Sequence, residues 1–168
     1  NRDKYDVTPI YITKQGKWYT GEALFEVANY RDVPALLAKC TEVYMKPIYD
    51  DYNLSGLERV LDKYPDIKFF GHSAEFWSRI SGDTQYRDYP TGPVEPNGPV
   101  VRLMEQYPQL YGDLSAGSGA NAIMRDPEFG YAFLEEFCDR LYFGTDICDP
   151  VQTVDDLHLS FFLDDAME

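Results

Sequence analysis

The stretch "YPDIKFFGHSAEFW", Tyr64 to Trp77, holds the junction on which the fold turns. Tyr64-Pro65 ends any helix that precedes it, because the residue before a proline is pushed out of the helical region. "IKFFGH" (67–72) then forms a short apolar strand that closes on Gly-His. Just upstream, residues 55–63 are predicted to be helical, with Leu54, Leu57, Val60 and Leu61 falling on one face. A helix, a proline stop and a buried strand make one unit of an α/β repeat.

Working outward, the same unit recurs. Residues 42–49 (EVYMKPIY) are predicted as a short strand broken by Pro47. Before it, Asp32 can cap a helix carrying Pro34 in its first turn and Ala35, Leu36, Leu37 and Cys40 beyond. Residues 7–13 and 17–20 are rich in strand formers and flank Gln15-Gly16, as a hairpin would, with Pro9 favouring an edge position. Downstream, 99–108 is a short helix stopped by Pro108, and "LYGDLSA" (110–116) is the next strand. Asp126 caps a further helix with Pro127 at its first position, and Phe129, Ala132, Phe133 and Phe137 line its core face. Residues 141–147 are another buried strand, and the acidic tail holds a helix between Val154 and Leu163. Short apolar strands alternating with helices imply parallel pairing and right-handed crossovers.

Between the repeats lies residues 81–99, with Pro90, Pro93, Pro96 and Pro99 among three glycines. Such a length suits a binding loop or lid as well as a solvated excursion.

The totals narrow the function. A chain of 168 residues with 44% apolar side chains is the size of one domain with a real core. The net charge of −14 repels phosphate backbones and argues against nucleic acid. No apolar run approaches the roughly 20 residues that span a bilayer, and no secretion signal opens the chain, so a cytoplasmic location is expected. Cys40, Cys138 and Cys148 include no closely spaced pair, so a thiolate zinc site is not expected and reduced thiols are.

Two strands end in polar residues of the same geometric kind. His72 follows 67–71 and Asp146 follows 141–145. Asp113 lies inside a third strand, where register decides which way it points. If the strand ends share one pole, a histidine nitrogen and a carboxylate oxygen suit Zn²⁺ or a similar divalent ion. Taken alone, a Gly-His is more often a structural histidine.

The ordered blocks "YPDIKFFGHSAEFW" and "VVRLMEQYPQLYGDLSAGSGANAIMRDPEFGYAFLEEFCDRLYFGTDIC" resemble the amidohydrolase-related, metal-dependent hydrolases. The branch they resemble includes amide and ester hydrolases and non-oxidative decarboxylases. The resemblance covers residues 54–148 and extends more weakly over 21–53. It implies a (β/α)₈ TIM barrel, present as about strands 4 to 8 in one partial domain over 1–168. His72 would be the metal ligand of strand 6, and Asp146 the strand 8 aspartate, acting as ligand or base. Glu22, in "YTGEALFE", would stand near the end of strand 4. Lys46 occupies the place of the expected strand 5 histidine, and no His-x-His occurs in the chain.

The function so implied is a metal-dependent hydrolase, or carboxy-lyase, in which a zinc-activated water acts on a small amide, ester or carboxylate. The alternative is a non-catalytic or fragmentary barrel module without a complete metal site, acting in binding or assembly. A third reading, a sugar binder built on the aromatic loop 76–96, has only composition behind it. Phe76 and Trp77 would wall a substrate pocket or pack the core. Arg125 would clamp a carboxylate or form an ordinary ion pair, and Ser115, Ser118 and Asn121 would donate hydrogen bonds or form a tight turn. His158 is expected at the surface. The expected partners are a small-molecule substrate and either a second copy or a separate half that completes the barrel, with no membrane.

Overall fold

The computed structural model describes residues 10–13, 18–20, 42–83, 88–146, 151 and 159–167, with side chains from residue 50 onward. Among these residues six strands form one sheet: β1 (Ile10–Thr13), β2 (Trp18–Thr20), β3 (Glu42–Tyr49), β4 (Lys68–Gly71), β5 (Leu110–Asp113) and β6 (Leu141–Tyr142). Their order is β2-β1-β3-β4-β5-β6. β1 and β2 pair antiparallel, and every other neighbouring pair is parallel. The helices are α1 (Ser55–Lys63), α2 (Ala74–Trp77), α3 (Pro99–Gln106), α4 (Ala116–Met124), α5 (Pro127–Phe137) and α6 (Leu159–Ala166).

The sheet overturns the expectation of a TIM barrel. Among the described residues, β2 and β6 are the two edges of the sheet and do not pair with each other. Closing a barrel needs strands long enough and tilted enough to return on themselves with a fixed shear. Here one end is an antiparallel hairpin and the other is a two-residue strand, so the sheet stays open.

Each element has a local cause. α1 starts where Asp50 and Asp51 collect its free amides. Asp50 accepts from the Gly56 and Leu57 N–H groups at 2.9 and 2.8 Å, and Asp51 accepts from Ser55 N–H at 3.0 Å. α1 then buries Gly56, Leu57, Val60 and Leu61. α5 begins at Pro127, with the Asp126 side chain accepting from Phe129 N–H at 3.3 Å. β3 continues through Pro47 as one strand, but its pairing with β1 slips by a residue there, from Tyr11–Lys46 to Thr13–Tyr49, as a bulge would allow.

Side-chain alternation gives the sheet two distinct faces. Phe69 and Leu110, paired in register, are fully buried among α1, α3 and the core rings. On that same face, Gly71 and Gly112 are paired because aromatic rings press onto them. A β-carbon at Gly71 would lie 2.3 Å from the Phe76 ring, and one at Gly112 would lie 2.7 Å from Trp77. The glycine of Gly-His is therefore the seat of an aromatic ring. The opposite face carries Phe70, stacked on Tyr111 at 5.1 Å and edge-on to Tyr142 at 5.3 Å.

Candidate functional site

His72, Asp113 and Asp146 come from the carboxyl ends of three adjacent strands, β4, β5 and β6. Such ends are where open parallel sheets bind ligands. Phe70, Tyr111 and Tyr142 lie on the same face, so an aromatic surface leads up to the polar cluster.

Asp113 is the hub. Its Oδ2 lies 3.2 Å from His72 Nδ1, and its Oδ1 accepts from Ser115 N–H at 2.9 Å. Its backbone carbonyl accepts from the Trp77 indole N–H at 2.8 Å. Burial alone would push the Asp113 carboxyl up. The hydrogen bonds from His72, the Ser115 amide and the Ser115 hydroxyl outweigh that and hold it below its ordinary value. It is therefore a carboxylate, which can only accept. Nδ1 of His72 must then carry the proton, with Ser115 Oγ 3.3 Å from the same nitrogen.

On the other side of the ring, Nε2 lies 3.9 Å from Asp146 Oδ2. The histidine and Asp113 side chains are largely enclosed, at 15% and 16% exposure, while Asp146 is 46% exposed. Asp146 itself has a positive φ of 48°, a turn conformation that aspartate tolerates.

A histidine whose Nδ1–H is held by a carboxylate and whose Nε2 faces a second carboxylate is an arrangement found around metal ions. Two donors at about 2.0–2.2 Å from a tetrahedral zinc stand about 3.4 Å apart. The pair at 3.9 Å would share such an ion after a small approach. Among the described residues no group of three His, Cys, Asp or Glu side chains could hold a metal, so the pair is what they supply.

The other residues singled out in the sequence fall elsewhere. Phe76 and Trp77 are fully buried, so they do not wall a pocket; they act by packing, and Trp77 by steadying Asp113. Arg125 caps the far end of α4, about 15 Å along the helix from Ser115. Burial lowers its pKa against the pull of Asp83, Asp126 and Tyr52, and it does not join the His72 cluster. Lys46 lies in β3, where its backbone pairs with Tyr11. It follows Met45, the partner of Gly71, so its backbone stands level with His72 on the next strand. Glu22, His158, Cys40 and Cys148 lie outside the described residues.

The segment 81–99 is tied at its base. Gly82 N–H donates to Glu95 O at 2.8 Å, Glu95 N–H to Ser81 Oγ at 2.9 Å, and Val94 N–H to Asp126 Oδ2 at 2.9 Å. The "SAGSGAN" stretch is mostly helix rather than turn, forming the first part of α4 after Ser115. The aromatic surface of Phe70, Tyr111 and Tyr142 was not among the residues singled out. Its signal was present, since Tyr111 and Asp113 share one parity of β5.

No helix among the described residues is long and apolar enough to cross a membrane. No family model matches the chain, and no solved structure matches it. A short segment is similar to a D-alanine–D-alanine ligase of Thermosipho melanesiensis, at 40% identity over 43 residues. That match takes in 26% of this chain and 12% of the ligase, so the chain spans only a small part of the relative it resembles.

Proposed function

We propose that the chain carries a metal-dependent hydrolytic site, of the kind found in amidohydrolase-related enzymes, on the open edge formed by β4, β5 and β6. The observation that carries this reading is the orientation of His72. Its Nδ1 is committed to Asp113 at 3.2 Å, and its Nε2 is presented to Asp146 at 3.9 Å. His72 and Asp146 would hold a divalent cation, with zinc favoured by the nitrogen and oxygen donors. A bound cation of this kind supplies an acidified water able to attack an amide, ester or carboxylate substrate. The chain's own part is to orient the His72 ring through Asp113, to offer Asp146 as ligand or proton acceptor, and to set an aromatic surface beside them. The exposure of Asp146 leaves room for substrate at the open side.

A second reading, a non-catalytic binding module, is supported by the donor count: two side chains among the described residues are fewer than the three protein ligands usual at catalytic zinc. One titration separates the two. Zinc binding to the chain, followed by calorimetry with metal content measured on the purified protein, is expected to reach one ion per chain and to be lost in His72→Ala and Asp146→Ala. Wild-type protein that takes up no stoichiometric metal, or uptake indifferent to both substitutions, would leave the binding-module reading in its place.

A further inference from the structure

On the other side of the sheet edge, away from His72, lies a groove of about 810 Å³ between α5, β6 and α6. That is within the range of about 300–1,000 Å³ usual for binding clefts. We propose that it is a docking site for a basic amphipathic helix presented by a partner protein.

The lining combines two chemistries. Leu134, Leu141 and Leu163 supply apolar surface, and Glu135, Asp164 and Asp165 supply carboxylates. Both aspartates are exposed, while Leu163 and Leu134 are half-buried, so acid stands outside apolar floor. Phe143 and Met167, at 50% and 78% exposure, extend the apolar surface outward. Tyr131 of α5 stacks on Phe162 of α6 at 4.7 Å, so the two helical walls are already locked together.

Charge identifies the occupant. Residues 126–168 hold 12 aspartates and glutamates against one arginine, Arg140. Arg140 does not neutralise the groove. It lies over the Phe137 ring, and its Nη1 donates to the carbonyls of Met104 and Tyr107 at 2.6 and 3.2 Å. A second copy would bring a net charge of −14 against the same charge, which disfavours self-association on this face. A partner with lysine or arginine flanking its apolar contacts gains where a second copy loses. Two helical walls with an apolar floor fit a helix that lays apolar residues at i, i+3 and i+4 into the groove. A strand is less suited, since β6 offers an edge of only two residues.

The test uses the full chain and a fluorescein-labelled model helix with leucine on one face and lysine on the other, followed by anisotropy. Saturable binding is expected that weakens with added salt. It is expected to fall about tenfold or more in the double variant Asp164→Lys, Asp165→Lys, whose positions are exposed and leave the core untouched. Leu163→Glu is expected to weaken it as well, with circular dichroism confirming retained helix. Equal binding of a peptide with glutamate in place of lysine would overturn the proposal. So would equal binding of a lysine peptide lacking the leucines, or an unaffected double variant. Sedimentation of the chain alone supplies a further arm: a dimer dispersed by Leu163→Glu would assign the groove to a second copy and overturn the proposal.

Discussion

At the scale of single residues, Asp113 decides what His72 can do. A carboxylate beside Nδ1 can only accept a hydrogen bond, so it holds a proton on that nitrogen. An amide in its place would have a donor to offer. Asp113→Asn is therefore expected to turn the NH₂ group toward Nδ1 and favour the Nε2–H tautomer, aiming a proton at Asp146. The shape of the side chain is kept, so the thermal midpoint should move little. Zinc affinity should fall about 10- to 100-fold, the usual effect of losing such an outer partner. Nitrogen-15 shifts of the His72 ring would read the tautomer directly. An unchanged ring spectrum would mean that Asp113 does not set it. Of this arrangement, the sequence made His72 visible because it follows an apolar strand, and Asp146 because it follows the apolar run 141–143. Of that run only Leu141–Tyr142 is strand, and Tyr142 and Phe143 are exposed rather than buried. The role of Asp113 stayed open because the strand's register was not fixed by its own residues. Only the pairing of Gly112 with Gly71 settles which face Asp113 shares with His72.

At the scale of elements, local signals worked where capping and periodicity coincide. The predicted helix 55–63 is α1 itself, and the Asp126-Pro127 start of α5 was visible as a cap followed by a fixed φ. α4 was hidden, since "AGSGANAIM" has two glycines and a serine and so a poor helical propensity. Packing explains the exception. A β-carbon at Gly119 would lie 2.5 Å from the Leu114 carbonyl oxygen, so the helix sits closer to the strand end than any larger residue allows. α1 provides a prediction at this scale. Asp50 stands five residues before the first residue of the helix yet takes two of its amides, beyond the reach of a simple capping rule. Burial raises the Asp50 carboxyl while these amides pull it down, and burial prevails. Asp50→Ala leaves two helix amides without their acceptor and is expected to destabilise the domain by about 1–2 kcal/mol. Urea denaturation would measure it, and a loss under about 0.3 kcal/mol would show that solvent replaces the carboxylate without cost.

At the scale of the whole molecule, the barrel expectation failed for a reason that is not local. Alternating strands and helices serve an open sheet and a closed barrel equally well. Closure depends on strand number, tilt and shear summed round the sheet. The two-residue β6 and the antiparallel β1–β2 pair settle that sum. The hairpin is marked in the sequence by strand formers around Gln15-Gly16, though β1 lies between β2 and β3 rather than at the edge that Pro9 favours; the shortness of β6 is not marked. Stability at high pH is also a property of the whole chain. Tyr107 is buried against the core, and burial together with its hydrogen bond to Asp62 raises its pKa to about 12. An unfolded tyrosine releases its proton near 10. Between these values the unfolded chain binds fewer protons than the folded one, so stability falls as pH rises from about 10 to about 12. Tyr107→Phe is expected to be less stable at pH 7, having lost the bond to Asp62, but to show a shallower alkaline decline. A decline of equal slope in both proteins would assign the effect to other groups.

The contact between Trp77 and Asp113 has an optical consequence. The chain has two tryptophans, Trp18 and Trp77. Trp77 is enclosed in the core, and its indole N–H ends on the carbonyl of the residue that holds His72. In a Trp18→Phe background a single fluorophore would remain, sealed from solvent and bonded to the backbone of the site. Its emission would be blue-shifted and insensitive to external quenchers. Occupancy that drew Asp113 toward its ligand would stretch that bond and shift the emission, with no label added. The protein thus carries a reporter for the His72–Asp113 cluster, placed on the core side of the strand.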